Sequence, residues 1–206
     1  MNRTAFLSRF LRTAVVAAVS AGLMIGARGA SPSEASERLH GFRPKAVALA
    51  PLFELTTHEG HVFSQAELKG RPFAVFFGFT HCPDVCPTTL QEMSNHLEAL
   101  GPDGDRLKVL FITVDPERDT AEHLKAYLAS FDRRIIALTG NPVEIASVVH
   151  AFRAFSEKVP GAGGSYTFNH TAKLILVDRY GLMAASMDLQ DKEGEQRALL
   201  RRLLAQ

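Results

Sequence analysis

The sequence predicts an α/β sandwich with a central mixed β-sheet flanked by helices. Three observations predict it. Strand-like apolar runs alternate with segments whose apolar residues recur every three or four positions. Two of the runs, Phe73–Phe79 (FAVFFGF) and Leu107–Val114 (LKVLFITV), are nearly continuous, as in strands buried on both faces. A late pair of apolar segments flanks Asp178-Arg179-Tyr180-Gly181, which reads as a hairpin and adds antiparallel strands. With 206 residues, 46% hydrophobic and 22% charged, the chain suits one globular domain and is not composed like a disordered one. Its net charge of +1 gives no basic footprint, so no nucleic-acid partner is expected.

The first 29 residues stand apart. Arg3, Arg9 and Arg12 precede Thr13–Ala27, a 15-residue run without charge, and no acid occurs before residue 30. Ala27 and Gly29 are small residues at the −3 and −1 positions of a cut after Gly29. This is the layout of a secretory signal peptide. An N-terminal membrane anchor is the alternative, although the run is shorter than the ~20 residues a spanning helix needs. Either reading puts the domain outside the cytoplasm, where thiols can oxidise. Loss of residues 1–29 removes four arginines and leaves the rest net acidic. Residues 30–46, polar and carrying two prolines, read as a linker, and the domain is expected over residues 47–206.

Within that domain Leu52–Leu55, a turn at Glu59-Gly60 and Val62–Phe63 form a short hairpin. Phe73–Phe79 follows as a core strand. Leu90, Met93, Leu97 and Leu100 then recur at helical spacing, and Leu107–Val114 is the second core strand. Asp119, with Glu122 three residues on, reads as the cap of a helix carrying Leu124 and Leu128. Ile135–Leu138 is a short strand. Asn141-Pro142 opens a helix, because asparagine suits the cap and proline the first helical position. Leu174–Val177 and Leu182–Ala185 form the late hairpin, and Glu193–Ala205 closes the chain as a helix. Gly161–Ser165 (GAGGS) reads as the one flexible stretch, just before His170.

The chain has two cysteines, too few for a disulfide scaffold or a four-cysteine zinc site. Both lie in Gly78–Leu90 (GFTHCPDVCPTTL), just past the end of a buried strand, where α/β proteins usually bind ligands. A helix starting near Asp84 tolerates Pro83 and Pro87, since its first amides have no internal partners. Cys82 and Cys86 would then present their sulfurs on one face, and the helix N-terminus would favour thiolate. The pair suits two uses: a redox-active dithiol, or two soft ligands that favour Cu(I). An imidazole would complete a three-coordinate site. Spacing alone does not choose among eight histidines. His170 could swing in from its glycine-rich approach. His81, next to Cys82, could tune that thiol or sit exposed.

Four motifs, GFTHCPDVCPTTL, VDPERDT at Val114–Thr120, LTG at Leu138–Gly140 and NHTAKLILVD at Asn169–Asp178, resemble the Sco/SenC family in its order. The resemblance runs from about Leu49 to the C-terminus. It implies a thioredoxin-like fold on an exported or membrane-tethered domain, periplasmic in a bacterium and held at the inner membrane if the anchor is kept. It implies copper, as Cu(I), Cu(II) or both, bound by Cys82, Cys86 and His170. It implies assembly of the CuA centre of cytochrome c oxidase. The copper subunit of that oxidase would be the partner, with another periplasmic copper chaperone or a thiol reductant as further partners. Family members act as copper donors, as thiol–disulfide reductases through the two cysteines, or as both. The chain departs from the family at Asn169, commonly Asp there, and in Pro160–Ser165, where many relatives are acidic.

Overall fold

The computed structural model describes residues 49–206. The signal or anchor expected at residues 1–29 and the linker at 30–46 lie outside them. Among the described residues no helix is long and apolar enough to cross a membrane.

Among the described residues nine strands and four α-helices follow one another, and two of the strands, Ser156–Pro160 and Tyr166–His170, lie where the sequence predicted none. Strands β1 (Glu54–Thr57) and β2 (Val62–Ser64) form the first hairpin. Then come β3 (Phe73–Gly78), α1 (Val85–Leu100), β4 (Lys108–Thr113), α2 (Ala121–Leu128), β5 (Ile135–Thr139) and α3 (Pro142–Ala151). Strands β6 (Ser156–Pro160) and β7 (Tyr166–His170) follow, then β8 (Leu174–Val177), β9 (Met183–Met187) and α4 (Glu193–Leu204). Seven strands form one mixed sheet in the order β2-β1-β5-β4-β3-β8-β9, and β6 pairs with β7 alone. Strand β3 runs parallel to β4 and antiparallel to β8.

The apolar run explains that centre. All six residues of β3 are buried, so helices or loops must cover both faces. Phe76 and Phe111 stack across β3 and β4, their ring centroids 5.9 Å apart. Each fully buried phenylalanine contributes up to about 3 kcal/mol of burial free energy. The sheet therefore fixes the end of β3 firmly, and the cysteine motif leaves from that end.

Asn141 caps α3 as predicted, accepting hydrogen bonds from the amides of Val143 and Glu144. Two expectations change. The cap of α2 is Thr120, whose hydroxyl accepts from the His123 amide. Asp119 is instead drawn into the interior, where Thr80 and Thr113 bond its carboxylate. The glycine-rich stretch is also no loose loop. It closes the β6–β7 hairpin with hydrogen bonds from the Gly161 amide to Ser165 O and from the Ser165 amide to Ala162 O. Gly163 and Gly164 take φ of 66° and 79° there, which glycine adopts without strain.

Candidate metal centre

Cys86 lies in the first turn of α1, and Cys82 precedes the helix in the turn leaving β3. Pro87 is tolerated because an amide in the first turn has no partner within the helix. Cys86 is fully buried, Cys82 partly so, and neither is in a disulfide. Room for the Cys86 sulfur comes from Gly78. A Cβ at that position would stand 2.7 Å from Cys86 Sγ and 2.7 Å from the Phe111 ring. Sequence reading missed this residue; a lone glycine ending an otherwise bulky strand was the available signal.

His170 comes from the last residue of β7, four positions beyond Tyr166 at the strand's start. Its Nε2 lies 3.5 Å from Cys86 Sγ. Its Nδ1 lies 3.1 Å from Thr171 O, so Nδ1–H donates there and the Nε2 lone pair faces the sulfur. Phe79 and Phe76 meet the imidazole edge-on, with centroids 5.8 and 6.0 Å away. Asn169 is exposed on the outward side of the alternating strand. The group that orients the ring is therefore the Thr171 carbonyl.

The acidic loop after β4 secures the hairpin that carries His170. The Arg118 guanidinium carbon lies 3.8 Å from the Tyr166 ring centroid, and Lys158 Nζ lies 3.9 Å from it. The Tyr166 hydroxyl donates to Asp115 Oδ1 at 3.1 Å, and Asp115 also accepts from Arg118 Nε. Lys158 donates to Glu117 at 2.6 Å. The loop thus latches β6–β7 beside the main sheet. Asp115, Glu117 and Arg118 therefore hold the hairpin that carries His170.

Burial leaves Cys86 and His170 uncharged. Burial pushes the Cys86 thiol well above its ordinary value, so the thiolate expected at the helix N-terminus does not form at Cys86 in the copper-free protein. Loss of solvation outweighs the dipole of the first turn. Burial likewise lowers the His170 imidazole, which keeps it neutral and ready to ligate.

The donor atoms of Cys82, Cys86 and His170 all lie within 4.8 Å of one another. Metal–sulfur and metal–nitrogen bonds of about 2.3 and 2.0 Å put a trigonal S–N pair roughly 3.7 Å apart. The observed 3.5 Å is close to that. Two thiols and one imidazole are a soft, three-coordinate donor set that fits Cu(I). Entry of the ion must displace the Cys86 proton. His81 is exposed, and its Nδ1 lies 3.1 Å from Thr80 Oγ1, so it does not join this set.

A model of the SCO1/SenC family matches residues 43–205. The SCO2-like protein of Rickettsia felis is 40% identical over 131 residues, 63% of this chain and 64% of that protein. The mitochondrial SCO1 homolog of Homo sapiens is 31% identical over 191 residues, 88% of this chain and 62% of its own length. The chain thus spans about two thirds of the length of these relatives. The structure of Bradyrhizobium japonicum ScoI with copper bound superposes with a TM-score of 0.71 at 45% identity, covering 76% of this chain and 99% of that one. The shared architecture is the thioredoxin-like sandwich. The four motifs, the fold that places them and the family match over nearly the whole described domain agree, and the chain belongs to the SCO1/SenC family.

Proposed function

We propose that this protein is a copper metallochaperone that holds one copper ion through Cys82, Cys86 and His170. The observation that carries the reading is the 3.5 Å approach of the His170 Nε2 lone pair to the buried Cys86 sulfur. Relatives whose structures are described with copper bound support it. The recipient is the copper subunit of cytochrome c oxidase, at its CuA centre, and a second copper chaperone or a thiol reductant works upstream. The protein acts outside the cytoplasm, in the periplasm of a bacterium, exported or anchored by residues 1–29. A three-coordinate ion suits transfer, because an incoming thiolate can add before an old ligand leaves.

The redox alternative requires an attacking thiolate. Burial raises the pKa of the Cys86 thiol, so in that reading the attack falls to the less buried Cys82, while in the copper reading the ion displaces the Cys86 proton as it binds. Oxidase assembly in a His170→Ala strain tests the choice. Failed assembly with both cysteines intact supports copper donation. Normal assembly transfers the function to thiol–disulfide exchange.

A further inference from the structure

Beside the copper donors the chain gathers a second donor set that the proposed function does not use. His81 lies in the turn before Cys82, Asp119 in the loop after β4, and His123 in the first turn of α2. One ligand atom from each lies within 4.8 Å of the others. The two imidazoles stack, with ring centroids 5.6 Å apart and planes 20° from parallel. Both histidines are exposed, whereas Asp119 is fully buried.

We propose that His81, Asp119 and His123 form a second metal site, for a divalent ion of borderline softness such as Zn(II) or Cu(II).

The donors converge on one point. Thr80 Oγ1 stands 3.1 Å from His81 Nδ1, 3.0 Å from His123 Nε2 and 2.5 Å from Asp119 Oδ1. A hydroxyl has one proton, and the shortest contact gives it to the carboxylate. Both imidazoles must then donate N–H to the same oxygen. The hydroxyl marks the place where an ion would meet two nitrogens and one carboxylate oxygen. At bonds of about 2.0–2.1 Å, tetrahedral donors stand roughly 3.4 Å apart, so from separations within 4.8 Å the exposed rings close by at most about 1.4 Å as Thr80 turns aside. Each ring moves its proton to the other nitrogen through water, with no change in charge.

The carboxylate is already oriented. Asp119 Oδ2 accepts from the Thr80 amide at 3.0 Å and from the Thr113 hydroxyl at 2.6 Å. Those bonds persist when Oδ1 turns to an ion, as supporting partners do around metal ligands. Two imidazoles and a carboxylate with an open fourth position match known divalent-zinc donor sets. They contrast with the two sulfurs and imidazole of the copper centre, which suit a soft monovalent ion. An ion arriving from solvent reaches exposed His81 and His123 before partly buried Cys82.

The test uses the full chain with Cys82→Ser and Cys86→Ser, which removes the thiols from any readout. Titration with Co(II) alone should give one equivalent bound, with the visible bands of a tetrahedral ion, and Zn(II) should displace it. Adding His123→Ala, or His81→Ala, should weaken binding at least tenfold while the thermal melt stays unchanged. Thr80→Ala should preserve binding, because it empties the point of convergence and leaves the three donors. Absence of Co(II) bands up to millimolar metal would overturn the proposal. So would equal affinity with and without either histidine, or loss of binding in Thr80→Ala. Cu(I) affinity of the unmodified chain is read separately, so failure of this site and failure of the Cys82–Cys86–His170 centre are distinguishable.

Discussion

The copper centre is assembled from two arms built in opposite ways. The cysteine arm leaves the buried centre of the main sheet, and Cys86 is sealed beneath α1 against Gly78. The histidine arm is a two-stranded ribbon outside that sheet, held by the Tyr166 latch and by packing of Phe168 and His170 on Phe79. One arm is fixed by core packing, the other by a few polar and stacking contacts. The difference teaches that ion retention and ion release can be assigned to different parts of the fold. The dithiol arm retains copper, and the histidine arm can open without unfolding the sheet.

Replacing both cysteines should have the largest effect. Cys82→Ser with Cys86→Ser should lower Cu(I) affinity by several orders of magnitude in competition with a coloured Cu(I) chelator, because hydroxyls are poor ligands for a soft ion. His170→Ala should weaken Cu(I) binding by roughly 100-fold or less and leave two-sulfur binding in place. An equal loss in the two experiments would break the contrast between the arms.

Gly78→Ala should destabilise the folded chain by about 1–3 kcal/mol in denaturant melts, since the added methyl overlaps the Cys86 sulfur and the Phe111 ring. Tyr166→Ala should weaken copper binding by about tenfold, chiefly through faster dissociation, and shift the Cu(II) charge-transfer band while the melt of the main sheet is retained. Tyr166→Phe keeps the stacking on Arg118 and should lose less. A Tyr166→Ala variant with unchanged dissociation would remove the latch from the account.

The smallest effect concerns pH in the copper-free, reduced protein. Burial lowers the His170 pKa, so the unfolded chain takes up that proton first and stability falls as pH drops below about 6.5. Burial raises the Cys86 pKa, so the unfolded chain loses that proton first and stability falls as pH rises past about 8.5. Both slopes should flatten in His170→Ala and Cys86→Ser respectively.

The two arms were not equally legible in the sequence. The cysteine arm announces itself: FAVFFGF can only be a buried strand, and two cysteines among prolines at its end mark a site. The histidine arm does not. SEKVP and YTFNH alternate weakly, are only partly buried and flank a glycine-rich turn, so no apolar pattern marks them as strands. Their partners are the acidic loop and Phe79, both distant in the chain, and such contacts leave no local trace. His170 was placed by family resemblance. Asp119 and Thr120 are adjacent and both able to cap α2; local sequence cannot tell them apart. Thr80 and Thr113, distant in the chain, settle it by claiming Asp119. The expected thiolate failed for a similar reason, because burial of Cys86 depends on Gly78 and Phe111 rather than on the helix start.

The central claim is that one copper ion joins the two arms. X-ray absorption at the copper edge, on the full chain loaded with one equivalent of Cu(I), tests it most directly. The account predicts a shell of two sulfurs and one nitrogen, with the nitrogen lost in His170→Ala and both sulfurs kept. A shell without sulfur, or one that His170→Ala leaves unchanged, would contradict it.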